Sequence, residues 1–221
     1  MQTIISKGAL AGLGAWNAVV NRLLPARRYV PANLAVAAAS YGLARMAGAT
    51  HRQLGMSRDG AAAGLRAGLC GAAVVGSGAI VASRMQTTRH LFNDARAADQ
   101  QIVYETLVRI PLGTVLLEEV AFRSVLPALL DGSDRAGVSW RSGAMFGLWH
   151  VLPTLKTLEI NGVVNSATRW RAVAGGVLAT AVAGLMLDEV RLRSRSIIGP
   201  LLIHWAANAV SYTLAARRVS G

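Results

Sequence analysis

A single cysteine, Cys70, stands in 221 residues. That excludes an internal disulfide and a cysteine metal cluster. Its Gly/Ala-rich surroundings make it a small packing residue. Acidic residues are scarce, 11 against 23 basic ones, giving a net charge of +12. Aromatics are only 5% of the chain, and no basic stripe is interleaved with them, so nucleic-acid binding is set aside. The arginines fall instead between apolar runs (Arg27 and Arg28; Arg191, Arg193 and Arg195; Arg217 and Arg218), where anionic headgroups attract them. Their load is similar in alternate connections, and a small excess favours a cytoplasmic C-terminus. No HExxH is present, which excludes a zincin. Ser124 and Ser211 lack a nucleophile elbow. No inverted repeat is visible, which argues against many transporter folds. No small-residue cleavage site clearly follows the first apolar segment, which reads as a retained span and not a signal peptide.

What the chain does have is apolar length. It is 53% hydrophobic, with a mean hydropathy of +0.40. A span needs about 20 mostly apolar residues. Seven stretches qualify as candidates: Ile4–Leu24, Tyr29–Ala49, Ala61–Ser83, Ile102–Leu130, Ala136–Leu155, Ala172–Leu187 and Ile197–Ala215. The first carries Asn17, Asn21 and Arg22 and reads as partly interfacial. The fourth is long for one span. Pro111 is expected to divide it, because proline lacks the backbone donor, leaving Asp94–Arg109 along the interface. Thr50–Gly60, Asp131–Arg135, Lys156–Arg171 and Asp188–Ser196 read as loops. Gly64 and Gly68 have GxxxG spacing, with Ala72 one step on, and should allow close helix packing. The fold class expected is all-α: a polytopic transmembrane helical bundle of about 6–8 spans with an intramembrane active-site cavity.

Three short motifs place ionisable or amide groups inside three of these stretches: Glu118-Glu119-Val120-Ala121-Phe122-Arg123, Phe146-Gly147-Leu148-Trp149-His150, and His204-Trp205-Ala206-Ala207-Asn208. Charge in hydrocarbon is costly, so such residues are functional-site candidates. Glu119 and Arg123 are one helical turn apart and can pair. Glu118 projects about 100° away and has no basic partner at that spacing, which suits a general acid or base. Glu105 and Arg109 share the i,i+4 spacing and read as a structural pair. Phe146 packs one turn before His150 and limits its rotamers; Trp149 reads as a packing or interfacial aromatic, and Pro153 is expected to end or kink that helix. His204 and Asn208 are again one turn apart and offer donors to a developing oxyanion; an interhelical hydrogen bond is the plainer alternative. Taken together, glutamate as base, water as nucleophile and His/Asn as donors make a peptide hydrolase.

In this order, EExxxR, FxxxH and HxxxN resemble the CPBP (Abi) family of intramembrane proteases. That family includes type II CAAX prenyl endopeptidases and bacteriocin-processing or immunity proteins. The resemblance covers 111–216, the catalytic core of a single membrane domain over 1–221, with 1–101 as extra N-terminal spans. It implies that a glutamate helped by His150 activates water and that His204 and Asn208 bind the oxyanion, with Arg123 and Phe146 supporting the site. Members are often labelled metalloproteases. If a metal takes part, Zn²⁺ would be held by Glu118, His150 and His204; metal-independent activation is favoured, with no cofactor. The implied substrate is a membrane-associated protein or peptide. The abundance of Arg, Ala and Gly with little Lys suits a bacterial inner-membrane protein. A non-proteolytic immunity or scaffold protein of the same fold, and a small proton-coupled transporter, are the alternatives.

Overall fold

Apolar runs that cannot satisfy their backbone by pairing with neighbours do so internally, as helices. The computed structural model describes residues 2–99, 101–130 and 135–219, and every regular element among them is helical. The long ones are α1 (Gln2–Arg22), α2 (Tyr29–Met46), α3 (Ala61–Arg84), α4 (102–129), α5 (Arg135–Trp149), α6 (Val151–Ile160), α7 (Ser166–Ser194) and α8 (Ile198–Val219). Residues 131–134 of the expected loop Asp131–Arg135 lie outside the described residues.

Three boundaries differ from the sequence expectation. Pro111 does not divide α4. Wide i→i+5 turns at Pro111–Val115 and Glu105–Arg109 absorb the missing donor, and the helix runs on from Ile102. The span Ala136–Leu155 is broken by a turn at His150, as expected ahead of Pro153. Lys156–Arg171 is mostly helix: α6 continues to Ile160, and α7 begins at Ser166 under the Asn165 side chain, which accepts the Thr168 N–H at 2.9 Å. Asp188 is not in a loop. The helix containing Ala172–Leu187 continues to Ser194 and ends on Arg195 in the left-handed region, φ 55°.

Small residues set the packing. α3 lies along α8. A β-carbon at Gly64 would come within 2.6 Å of Ser196 Cβ, and one at Gly68 within 2.8 Å of Leu202 Cδ1, so the GxxxG expectation holds. α5 lies along α7, with Gly147 so close that a β-carbon would sit 2.6 Å from the Val177 carbonyl oxygen. α1 packs on the end of α4 and on α6, and α2 packs on the middle of α4. This surrounds α4 and buries its motif.

Polarity is distributed against the usual pattern. Asn17, Asn33, Glu118, Glu119, Arg123, Ser124, Asp188 and His204 are buried, whereas Leu65, Leu69, Val74 and Val81 on α3 and Leu178, Val182 and Met186 on α7 are exposed. Residues 58–84 and 166–194 are each long and apolar enough to cross a membrane.

Candidate active site

The two glutamates sit on a short regular stretch, Leu116–Glu119, followed by a wide turn over Val120–Val125. Such turns concentrate at functional sites. Glu119 and Arg123 are fully buried, with Arg123 Nη1 3.4 Å from Glu119 Oε1, so the expected pair forms. Arg123 Nε also lies 3.6 Å from Asp188 Oδ1 on α7, and its guanidinium lies 4.0 Å from the centre of the Phe146 ring. Gly184 leaves room for this stack: a β-carbon there would be 3.2 Å from both Arg123 Nη2 and Phe146 Cδ1. A guanidinium out of water needs more than one anion or acceptor. Asp188 is a second anion at ion-pair distance, although no guanidinium nitrogen of Arg123 makes a hydrogen bond among the described residues, and reading it as a loop residue had hidden it.

His204 brings the adjacent glutamates together although they project differently from α4. Its Nδ1 is 2.7 Å from Glu119 Oε1, and its Nε2 is 3.6 Å from Glu118 Oε2. His150 approaches Glu118 Oε2 from the other motif, at 4.0 Å from Nε2. Its Nδ1 lies 2.7 Å from the Phe146 carbonyl. A carbonyl only accepts, so that nitrogen carries the proton, and Nε2 is the nitrogen turned toward Glu118. Phe146 meets both imidazoles edge-on, at 4.6 Å to His150 and 5.7 Å to His204. Trp149, expected only to pack, donates from Nε1 to Glu118 Oε1 at 2.9 Å. Glu118 Oε2 is buried and accepts no hydrogen bond from the described residues.

Asn208 lies one turn beyond His204 on α8 and is partly buried. It stands outside the set of side chains in direct contact with Glu118. Glu105 and Arg109 pair as expected, away from this cluster.

A polar cavity adjoins Glu118 and Trp149, lined also by Asn17, Asn21, Asn33 and Thr114. About 20 Å³ of it is open to the centre of a water molecule, enough for one water. The three asparagines come from α1 and α2, and sequence reasoning had given them no part in the site. Their signal was present: amides within apolar runs are poor hydrocarbon residues unless hydrogen-bonded.

The fit to a metal is poor in this arrangement. Tetrahedral bonds of about 2.0–2.1 Å need ligand atoms roughly 3.4 Å apart, and both imidazole nitrogens lie farther than that from Glu118 Oε2. No group of three or more potential ligands among the described residues could hold a metal ion. A water making tetrahedral hydrogen bonds of about 2.8 Å spans roughly 4.6 Å between its partners, so the 3.6 and 4.0 Å found lie between the spacing of a metal and that of a water.

The family model for type II CAAX prenyl endopeptidase Rce1-like proteins matches residues 101–210. The match contains all three motifs and leaves out α1, α2 and α3. No curated protein and no solved structure matches the chain.

Proposed function

This chain belongs, through residues 101–210, to the type II CAAX prenyl endopeptidase Rce1-like family, and from that premise we propose that it is an intramembrane endopeptidase acting on a membrane-associated protein or peptide. The observation that carries the reading is the buried Glu118 Oε2, facing two imidazole Nε2 atoms across 3.6 and 4.0 Å. A water between them is polarised by three groups at once. Glu118 takes its proton as the oxygen attacks the scissile carbonyl carbon. The resulting oxyanion is met by donors on α8: the Asn208 amide, and His204 Nε2 when both ring nitrogens carry protons. Glu119 holds the Nδ1 proton of that histidine, Arg123 holds Glu119, and Asp188 holds Arg123 from its other side. The carbon–nitrogen bond then breaks as the proton passes from Glu118 to the leaving amine.

The same reading puts the chain in a bilayer, in a bacterial inner membrane, with the remaining long helices crossing beside residues 58–84 and 166–194 for about 6–8 spans. The exposed leucines and valines of α3 and α7 support it, because hydrocarbon solvates them at no cost. The buried charges support it equally, since intramembrane ionisable groups face the bundle interior.

Purified protein in nanodiscs, given a panel of membrane peptides, tests the reading by mass spectrometry of the products. Wild type should cleave at least one peptide that Glu118→Gln does not. Equal cleavage by both would end the proposal. Chelation should leave the rate unchanged. Near-stoichiometric zinc, lost together with activity in His150→Ala and His204→Ala, would replace the metal-free mechanism with a metal-assisted one.

A further inference from the structure

The helix break at His150 creates a problem that a residue outside the family match solves. Within an unbroken helix the Trp149 carbonyl would accept from the N–H of residue 153. Residue 153 is proline and has no N–H. Trp149 is buried, 8% exposed, so its carbonyl would be left without a partner at the expense of stability. Asn17 on α1, also buried, donates from Nδ2 to that carbonyl at 2.8 Å. The carbonyl can only accept, which fixes the orientation of the Asn17 amide. Its Oδ1 accepts in turn from Asn21 Nδ2 at 2.6 Å. The Asn21 carbonyl accepts from Lys156 Nζ, on the next turn of α6, at 2.9 Å.

We infer that Asn17 is a positioning residue for the site: by holding the Trp149 carbonyl it sets the break between α5 and α6 so that the Trp149 indole and the His150 imidazole both reach Glu118. The indole fixes Oε1 of that carboxylate at 2.9 Å and thereby turns Oε2 toward the imidazoles. His150, the next residue, takes its direction from the same peptide unit. The catalytic consequence rests on the endopeptidase reading; the structural link from Asn17 to the indole does not. It also gives α1, which the family match omits, a part in the site.

The test uses the full chain in nanodiscs, labelled with ¹⁵N-tryptophan, the Trp149 indole resonance being assigned by its loss in Trp149→Phe. Asn17→Leu keeps the branched shape of asparagine, though it is bulkier, and has no donor. It should lower kcat by roughly 10- to 100-fold, the effect of a small misplacement of reacting groups, with KM within about twofold. It should also shift the Trp149 indole N–H. Asn17→Gln keeps an amide donor and should recover part of both. Trp149→Phe should cost less in the Asn17→Leu background than in wild type, because the two act on one carboxylate. Should Asn17→Leu fail to fold, Asn17→Ser, whose hydroxyl is too short to reach the carbonyl, takes its place. Wild-type kcat and an unmoved indole resonance in the folded variant would overturn the inference. If wild type cleaves nothing, the endopeptidase reading fails, and the indole resonance alone then decides: moved, it supports the positioning link; unmoved, it ends it.

Discussion

Glu118 and Glu119 are neighbours in sequence and opposites in environment. Glu119 is committed: Arg123 lies 3.4 Å away and His204 Nδ1 2.7 Å away. Glu118 has one oxygen held by Trp149 and the other open between two histidines. Under the proposed mechanism this contrast assigns the general base to Glu118. Glu118→Gln should lower kcat by on the order of 10²-fold or more with an unchanged Tm, while Glu119→Gln should lower Tm as well as kcat, because it strands Arg123. Circular-dichroism melts alongside peptide cleavage check both; equal Tm losses would mean the two carboxylates share one role. Arg123→Ala removes one partner of a buried ion pair and should cost about 3–5 kcal/mol. Adding Glu119→Gln should restore part of that stability, and a double variant no more stable than Arg123→Ala would show that the pair carries no energy. This pair was legible in the sequence from i,i+4 spacing, as was Phe146 against His150. The contacts of Glu118 with His150, His204 and Trp149 were not, because spacing within one helix says nothing about which faces of three helices meet.

At the scale of elements, hydropathy located the helices and misjudged their ends. Ala172–Leu187 stopped at Asp188 because a charge reads as water, yet Asp188 is paid for by Arg123 across the bundle and α7 continues for about two more turns. Pro111 read as a break and is not one, whereas the break expected from Pro153 is present, at His150; proline disrupts the turn before it, and whether the helix widens or kinks depends on what captures the freed carbonyl. The small-residue seam was fully legible, and it gives a prediction at this scale. Gly64→Val places a branched side chain where a β-carbon alone would lie 2.6 Å from Ser196 Cβ and Oγ. Overpacking of that kind costs about 1–3 kcal/mol. Gly78, on the same helix, has open space where its β-carbon would go, so Gly78→Ala should be neutral or slightly stabilising through helix propensity. Thermal unfolding in nanodiscs compares the two, and equal Tm values would show that α3 does not pack on α8 through Gly64.

Among the described residues a cluster of charged and amide side chains lies inside while large apolar ones on α3 and α7 face outward, the arrangement expected of helices whose outer solvent is hydrocarbon and not water. The single cysteine makes that reading testable by thiol labelling. Cys70 lies within α3 and is exposed on the protein surface. A thiol reacts with maleimide as the thiolate, which requires water and a means of losing the proton. If α3 crosses a bilayer, Cys70 faces lipid and is out of reach of a charged reagent. Wild-type protein in sealed or permeabilised vesicles should then resist a membrane-impermeant maleimide and react fully only after the bilayer is dissolved in SDS. Val164, 89% exposed in the short connection before α7, gives the contrast. Val164→Cys in a Cys70→Ala background should label quickly in permeabilised vesicles, because a comparable exposure there is exposure to water. Rapid labelling of Cys70 in intact vesicles would mean that α3 is bathed in water, and the inverted distribution of polarity would then need a covering partner in place of a membrane.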